Sequence, residues 1–497
     1  MLPQSQIPQI RRTNTSRVDE LDALLVIVPP SAGPGIFSKL PESQRWQELN
    51  ARTTPIVGTV RSTSLANRRQ TLAMLGYMGT EASHFERLAL AGRLMKESGA
   101  RGVENLGLAA FGDASQASLE ALLAAALAQA FPLPDFRSGK RDERRMRRIS
   151  LLDADELDVR YAAAASKGNN LARWLTALPP NILDARGYRR AIAELAREHG
   201  VSMRWLDERA LKRAGANAFL AVSAGNAQRA AGIAHLSYRP ARRKATRRPD
   251  VALVGKGILF DTGGINLKPH KSMLDMHTDM GGSAVALATL LALAQLRAPV
   301  AADAWLAITA NEIGPRAYRP QEVVRASNGV TIQVIHTDAE GRMVLADTLA
   351  LASRTRPRFM IDFATLTGAC VHALTERMSG IFTPHQGLVP KLLEAGRSSG
   401  ERVWPFPLDA DFDSDLESRI ADVVQCAVEG KGDHILATRF LSRFVPPDIP
   451  WAHMDLSAAT RSGGLGHINT DITGFGVRYA LDLILKQDIL EGLEAGK

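Results

Sequence analysis

Cysteine is almost absent from this chain of 497 residues, which contains only Cys370 and Cys426. Two thiols cannot build a disulfide framework or supply a zinc cluster made of cysteine ligands. Long apolar runs are missing as well: the first, residues 24–28, has the length of a strand, and none approaches the roughly 20 residues of a membrane span. The first residues also lack the basic-then-apolar pattern of a signal peptide. These absences predict a cytoplasmic protein with no membrane partner.

The composition is that of an ordinary globular protein, with 45% hydrophobic and 23% charged residues. The formal net charge is +9, and basic residues cluster at 140–148 and 239–248. A basic surface is typical of nucleic-acid binding, but neither cluster carries the interleaved aromatic residues that stack on bases. We interpret the first cluster as an interdomain connection and the second as a solvated loop, and nucleic-acid binding stays open as an alternative.

The length predicts two or more domains. Residues 1–150 alternate strand-like runs, at 23–28 and 106–111, with a helix-like run at 118–127. We predict a smaller N-terminal α/β domain there, for scaffolding or assembly, followed by a linker at 151–164 and a larger α/β domain at 165–497. In the larger domain the pattern predicts strands at 251–260, 304–309 and 359–363 and a buried helix at 283–293.

Residues 336–343 (His-Thr-Asp-Ala-Glu-Gly-Arg-Met) place charged groups on a turn before a helix-like segment. Ionised Asp338 and Glu340 are hard oxygen donors that suit divalent cations, and Gly341 lets the backbone bend before Arg342. The alternative is a solvated helix N-terminus, where the helix dipole favours acids.

A second charged cluster lies about eighty residues upstream. Lys256 and Asp261 fall in and after a strand that reads as buried, and Lys268 and Asp279 follow among Gly and apolar residues. Ionised groups in such settings are paired or bind metal. A lysine amine can ligate only when neutral, so a nearby cation must suppress its protonation. Together the two clusters could hold two divalent ions.

The sequence lacks the motifs of two other common classes of site, the phosphate-binding loop and the single-zinc protease helix. Residues 255–257 (Gly-Lys-Gly) lack the spacing of a phosphate-binding P-loop, and the chain has no HExxH helix of a single-metal protease. We interpret Cys370 as a small buried apolar residue. His453 is interpreted as a hydrogen-bonded structural histidine.

The chain resembles the leucyl aminopeptidase (cytosol aminopeptidase) family, peptidase family M17. The family signature NTDAEGRL stands here at residues 336–343 with His336 in place of Asn. The resemblance spans about residues 165–480 and includes residues 170–173, 178–181, 254–264 with Lys268, 279–282, 364–369 and 451–455. It implies a larger C-terminal α/β/α catalytic domain with a central mixed sheet.

The resemblance also implies roles for individual residues. The tightly bound metal would be held by Lys256, Asp261, Asp279 and Glu340, and the exchangeable one by Asp261, Asp338 and Glu340. Zn or Mn are the favoured ions, with Mg or Co as alternatives. Lys268 would stabilise the oxyanion, and Arg342 would anchor a bicarbonate-like anion that acts as general base. The first side-chain subsite would be lined by Met276, Thr365, Leu366 and Gly368.

By resemblance, the expected activity is that of a metal-dependent exopeptidase that releases N-terminal amino acids from peptides, assembled as a homohexamer. A nucleic-acid-binding regulator on the same fold is the alternative. The chain departs from the family pattern at three positions. His336 replaces Asn, and Gln333 stands where the family often has Glu. Ala310 precedes Asn311, where the family commonly has a Glu-Asn pair. We expect these departures to tune metal affinity and to leave activity in place.

Overall fold

The computed structural model describes residues 2–3, 7–99, 102–139, 145–152, 154, 156–241 and 248–493. Their backbone forms two α/β units, each built on its own large sheet. The elements of the first unit are β1 (Gln9–Thr13), β2 (Ala23–Val28), α1 (Pro34–Phe37), α2 (Ser43–Ala51), β3 (Val60–Ser64), β4 (Leu72–Tyr77), α3 (His84–Glu97), β5 (Asn105–Ala110), α4 (Ser115–Ala130) and β6 (Arg148–Leu152).

The first sheet has the strand order β1-β6-β5-β2-β4-β3. Its first five strands in that order run parallel, and β3 is antiparallel at the edge. All six residues of β2 are buried, as expected of a strand whose two faces are both covered. The strands and the helix predicted for this part of the chain are confirmed.

The second unit contains the longer part of the chain. Its elements are α5 (Val159–Thr176), α6 (Ala185–Glu198), β7 (Ser202–Asp207), α7 (Glu208–Ala214), α8 (Asn217–Ser223), β8 (Gly232–Tyr238), β9 (Val251–Asp261), α9 (His270–Met273), α10 (Gly281–Leu296), β10 (Ala302–Asn311), β11 (Val323–Arg325), β12 (Thr331–Gln333), α11 (Glu340–Ser353), β13 (Phe359–Ala364), α12 (Gly368–Leu374), β14 (Ser379–Phe382), α13 (Val389–Ser399), β15 (Val403–Pro405), β16 (Val423–Val424), α14 (Asp433–Ser442), β17 (Trp451–Asp455) and α15 (Val477–Leu485).

The central sheet of this unit has the order β15-β14-β17-β13-β9-β10-β8-β7. Strands β17, β13, β9 and β10 run parallel, and antiparallel pairings join β14 and β8 to either side of them. One apolar core lies between the sheet and α5, α10 and α15, and another lies between the sheet and α8, α11 and α14. The predicted α/β/α domain with a mixed sheet is confirmed, as are its three predicted strands and its buried helix.

Small residues bring the start of α10 close to the sheet. A Cβ on Gly255 of β9 would lie 2.6 Å from the carbonyl oxygen of Gly282, and a Cβ on Gly282 would lie 2.1 Å from that of Phe363. Neither contact leaves room for a side chain. The close approach places Asp279, which directly precedes α10, beside the carboxyl end of β9.

The two units contact each other through buried polar groups as well as through packing of α4 on α5. Glu120 of α4 pairs with Arg478 of α15 at 2.9 Å and with His84 at 3.0 Å. Burial alone would raise the pKa of Glu120, but its contacts with Arg478 and His84 lower it below its usual value. The division at 1–150, 151–164 and 165–497 stays a prediction; β6 ends at Leu152 and α5 begins at Val159.

Among the described residues, one helical stretch, His270–Leu296, is long and apolar enough to cross a membrane by length and composition. Its most apolar window is 83% buried inside the fold. The stretch includes α10, whose side chains pack against β9, β10, β13 and α5. In this fold it is a core helix.

The contact between α10 and the sheet predicts the effect of adding a single methyl group. Gly282→Ala would place Cβ against the backbone of β13, and such overpacking costs about 1–3 kcal/mol. We expect Tm to fall, by about 2–4 °C for each kcal/mol. Gly281→Ala is the matched control, because the nearest atom to its Cβ is 3.8 Å away. Equal melting temperatures for the two variants in thermal denaturation would contradict this packing.

Candidate metal centre

Polar side chains, among them the predicted ligand Asp261, converge at the carboxyl ends of the parallel strands. Asp261 ends β9, Asn311 ends β10, Thr365 follows β13 and Asp455 ends β17. Because these strands are neighbours that run in the same direction, their ends line one edge of the sheet, where open α/β sheets build their sites.

Three carboxylates form the centre of the cluster. Oxygens of Asp261, Asp338 and Glu340 lie within 4.8 Å of one another. Glu340 is the first residue of α11, a position where the helix dipole favours an acid. The next residue must be small, since a Cβ on Gly341 would lie 2.7 Å from Nζ of Lys256.

Lys256 connects this cluster to Asp279. Its Nζ lies 2.8 Å from Oδ1 of Asp279 and 3.1 Å from Oε1 of Glu340, and it donates to the carbonyl oxygen of Thr365 at 2.7 Å. The hydroxyl of Thr365 donates to the same oxygen of Asp279 at 2.6 Å. The side chain of Lys256 is 3% exposed, so this ammonium is removed from water.

Lys268 forms a second bridge on a more open side. Its Nζ lies 2.9 Å from Oδ2 of Asp261 and 2.5 Å from Oδ1 of Asp338, and its side chain is 14% exposed. The intervening turn depends on Gly263 and Gly264, whose φ angles of 85° and 65° lie in the left-handed region that favours glycine. The turn directs Lys268 back toward the strand end that holds Asp261.

Burial and mutual repulsion shift the titration of these groups. Burial first, and then the charge of Asp261, raise the pKa of Glu340 to about 8, although Lys256 opposes the shift. Burial also raises the pKa of Asp279 to about 6, again against Lys256. Burial alone would lower the pKa of Lys256, but Asp279, Glu340 and Asp261 raise it above its usual value.

The donor set fits divalent cations. Oδ2 of Asp279 and Oε2 of Glu340 are buried and have no hydrogen-bond partner among the described residues. Four carboxylates and two lysines leave a formal charge of −2 when all are ionised. Burying a carboxylate oxygen without a hydrogen-bond partner costs free energy of folding, and a hard cation would supply the missing partner.

Neighbouring polar side chains fix the carboxylates, and most of them were not predicted. Asn311 donates to Oδ1 of Asp261 at 2.8 Å and to the carbonyl oxygen of Thr337 at 3.1 Å. Tyr318 donates to that same carbonyl at 2.7 Å. Gln425 accepts from two backbone N–H groups, at 335 and 336, and donates to the carbonyl of Ala339. No local sequence pattern marks Tyr318 or Gln425.

The three departures from the family pattern have simple structural roles. Nδ1 of His336 accepts from the backbone N–H of Asp338 at 3.2 Å, the bond that an asparagine oxygen two residues upstream would also make. Gln333 bonds to Gln321 and Ser418, and Ala310 is half-buried beside Asn311. The turn at residues 336–339 is thus preserved with a histidine at its start.

Arg342 is paired inside the protein. Its Nη2 donates to both carboxylate oxygens of Asp433, at 2.8 and 2.7 Å, and its Nη1 donates to the carbonyl oxygen of Gln425 at 3.3 Å. Asp433 was not predicted as a site residue. The signal that could have found it is an acid behind a Gly-Lys-Gly turn at 430–432.

The residues predicted for the substrate side lie around Asp279 and Thr365. Met276 is half-buried in a short 3-10 helix, Met276–Thr278, that packs on β9. Leu366 is half-buried beside Gly341, and its backbone N–H donates to Asp455 at 3.1 Å. Gly368 is exposed and starts α12, with open space where a Cβ would be.

Two residues interpreted as structural are buried. His453 is fully buried and its Nδ1 lies 2.6 Å from Oδ1 of Asp362, whose other oxygen accepts from Trp451. Cys370 is buried as well, and burial raises the pKa of its thiol to about 12. Both lie outside the carboxylate cluster.

Sequence comparison identifies the family. A profile described as "Cytosol aminopeptidase family, catalytic domain" matches residues 170–481. The chain belongs to the cytosol aminopeptidase family. It is 34% identical over 356 residues to a probable cytosol aminopeptidase of Persephonella marina, covering 70% of this chain and 71% of the relative. A probable cytosol aminopeptidase of Stutzerimonas stutzeri is 40% identical over 337 residues, or 66% and 67% of the two chains.

Solved structures agree with this assignment. A mutant of tomato leucine aminopeptidase matches with a TM-score of 0.85 and 26% identity, over 98% of both chains. The bottromycin maturation enzyme BotP in complex with Mn matches with a TM-score of 0.81 and 29% identity, over 95% of this chain and all of that one. The family is metal-dependent, and this chain is a metallo-aminopeptidase, a hydrolase that acts on peptides.

The raised carboxyl pKa values predict that metal binding is coupled to proton release. Below about pH 6 both Asp279 and Glu340 carry protons in the metal-free protein, and above about pH 8 both are ionised. A cation must displace those protons when it binds. The affinity of the protein for the cation should therefore rise from pH 6 to pH 8, and the number of protons released for each bound cation should fall. Calorimetry in buffers of different ionisation enthalpy measures both. Equal affinity for Mn²⁺ at the two limits would contradict the prediction.

Proposed function

We propose that this chain removes N-terminal amino acids from peptides with two divalent cations held at the carboxyl ends of its parallel strands. The observation that carries the proposal is the group of four carboxylates, three buried and Asp338 half-buried, whose ion pairs among the described residues are with Lys256 and Lys268. Unpartnered oxygens in that group fit a cation better than they fit a purely structural cluster.

In this proposal the cations are held by Lys256, Asp261, Asp279, Asp338 and Glu340. Asp261 and Glu340 would be shared by the two cations, because each lies close to residues of both proposed positions. Zn or Mn suit the set best, and Mg or Co are alternatives, since the donors are oxygens with one amine. When bound, such a pair of ions activates a water molecule and polarises the scissile carbonyl.

Lys268 and Arg342 serve the reaction instead of holding metal. Lys268 is the more exposed of the two site lysines, and once cations satisfy Asp261 and Asp338 its ammonium is free to stabilise the developing oxyanion. Arg342 holds an anion, bicarbonate-like in character, that takes a proton from the attacking water. The proton then passes to the nitrogen of the leaving amine.

The first residue of the peptide lies, in this proposal, beside Met276, Thr365, Leu366 and Gly368. Thr365 fixes Asp279 through its hydroxyl, so the substrate side and the metal side share one residue. The free α-amine of the peptide would be a ligand for a cation held there, which would explain why only N-terminal residues are removed. The open space at Gly368 leaves room for a side chain.

We further propose that the protein is cytoplasmic and works as a homohexamer, which would enclose its sites against folded proteins. The relatives are named cytosol aminopeptidases, which supports the location.

Nucleic-acid binding stays a prediction without a structural test, because residues 140–144 and 242–247, which carry most of the two basic clusters, lie outside the described residues.

The proposed activity is tested with a short peptide and its N-acetylated form. We expect release of the first amino acid from the free peptide only, loss of activity after treatment with a chelator, and recovery with Mn²⁺ or Zn²⁺. Cleavage of the acetylated peptide, or full activity in the metal-depleted protein, would argue against it.

Lys268→Ala separates catalysis from metal binding. Loss of an oxyanion-stabilising group costs about 10²–10³ in kcat, and metal content should stay at two ions per chain. Lys271→Ala is the control, because Lys271 is exposed in the same segment and makes no ion pair with the four carboxylates in the described structure. The role assigned to Lys268 fails if kcat of Lys268→Ala equals that of the control with two metals bound.

A further inference from the structure

A cleft opens at the end of α11 that lies away from the carboxylate cluster. Helix α11 begins at Glu340 and ends at Ser353, so its two ends lie roughly 20 Å apart at 1.5 Å for each residue. The cleft has a volume of about 420 Å³ and lies between β7, α7, β8, β10 and the end of α11. Its polar and aromatic lining residues are Arg204, Arg213, His235, Trp305, Arg354 and Thr355.

The floor of the cleft is a row of side chains from three neighbouring strands. Arg204 of β7 pairs in register with His235 of β8, which pairs in register with Trp305 of β10, so the three side chains lie on one face of the sheet. The rings of His235 and Trp305 are stacked, with their centroids 3.8 Å apart. Nε2 of His235 lies 2.9 Å from Oδ2 of Asp303, whose other oxygen accepts from Arg239 at 2.6 Å. Asp303 is therefore bound to other groups and not to the arginines of the cleft.

Three guanidinium groups line this cleft from three different parts of the fold. Arg204 and Arg213 make no ion pair and no side-chain hydrogen bond within the described ranges. Arg354 donates from Nη2 to the carbonyl oxygen of Ser327 at 2.8 Å, and no carboxylate in that part of the chain pairs with it. All three arginines are exposed, so a dissolved ligand can reach them.

The acids that lie nearest in the chain are occupied elsewhere. Oδ1 of Asp207 caps α7 by accepting from the backbone N–H of Ala210 at 2.8 Å. Glu208 forms an ion pair with Arg229 at 2.9 Å. Three like charges that line one cleft repel each other, and an anion bound between them would offset that repulsion.

A hydrogen-bond donor in the same lining also lacks an acceptor. Trp305 is 6% exposed, and its Nε1 is buried without a hydrogen-bond partner among the described residues. A buried indole N–H usually finds an acceptor. The lining thus combines uncompensated positive charge with an unused donor, which complements a group rich in anionic oxygens.

We propose that this cleft binds a small molecule through a diphosphate group. Guanidinium groups match phosphate oxygens in geometry, and one phosphate group carries about −1.5 to −2 charges at pH 7. Two phosphate groups therefore come closest to balancing three arginines. The cleft is separate from the proposed peptide site, because it lies at the other end of α11 from Glu340. The proposal does not depend on the proposed function.

The shape of the site favours a small molecule over a nucleic acid. The volume of the cleft falls within the range of about 300–1,000 Å³ that is typical of small-molecule pockets. Nucleic acids are instead bound along a basic stripe of the surface. The three arginines converge on one concave site and do not form such a stripe.

Calorimetric titration of the full chain, loaded with Mn²⁺, with sodium pyrophosphate tests the proposal. We expect one binding site for each chain whose Kd rises by about tenfold or more in Arg204→Ala and in Arg213→Ala, because each variant removes a charge-assisted contact. Citrate should bind more weakly than pyrophosphate, since its carboxylates spread a similar charge over a longer molecule.

Arg209→Ala is the matched control. Arg209 is exposed on the same helix as Arg213, α7, but does not line the cleft, so the variant removes the same charge from the same surface. It should change the Kd of pyrophosphate by no more than about twofold. Because the three substituted arginines are exposed, the variants should keep the fold, which circular dichroism checks.

Any of five results overturns the proposal. The first is no binding of pyrophosphate at millimolar concentration. Equal losses in Arg209→Ala and Arg213→Ala would indicate diffuse surface charge. An unchanged Kd in both Arg204→Ala and Arg213→Ala would mean that pyrophosphate binds the metal ions instead. Citrate that binds as tightly as pyrophosphate would remove the assignment to phosphate. A short DNA duplex that binds more tightly and displaces pyrophosphate would assign the arginines to a nucleic-acid surface.

Discussion

Repulsion between four crowded carboxylates, three of them buried and one half-buried, is the constraint around which the catalytic domain is organised. Like charges about 4 Å apart repel by about 4 kcal/mol at an effective dielectric constant of 20. Each site lysine lies between two of these carboxylates, Lys256 between Asp279 and Glu340 and Lys268 between Asp261 and Asp338. Two ammonium groups offset only half of the negative charge, so the cluster is poised to take up cations.

The scaffold that holds this cluster is stiff because its parts come from different elements pressed closely together. Asp261 ends a buried strand, Asp279 precedes a helix whose first turn touches the sheet backbone, and Glu340 begins another helix on the opposite face. Their positions depend on glycines that allow a close approach, Gly282 to the backbone of β13 and Gly341 to the side chain of Lys256. The N-terminal unit supplies none of these carboxylates and contacts the catalytic unit through Glu120 and α4.

The sequence predicted what is local or periodic. Strand β9 and helix α10 follow from their apolar patterns, and the five proposed metal ligands lie in motifs whose spacing is visible in the chain. The partners of Arg342 are different, because Gln425 and Asp433 lie 83 and 91 residues away in sequence and reach it only through the tertiary fold. Nothing in the immediate surroundings of Gln425 distinguishes it from any other polar residue. Long-range hydrogen bonds of this kind need coordinates.

The histidine at the start of the turn at residues 336–339 holds that turn with a ring nitrogen, whereas an asparagine at the same place would use its amide oxygen. Nδ1 of His336 accepts from the backbone N–H of Asp338, so the lone pair of that nitrogen already holds the turn. To ligate a cation through Nδ1, the ring would have to release the turn that positions Asp338. The imidazole beside the two carboxylates therefore determines the shape of the turn in this structure.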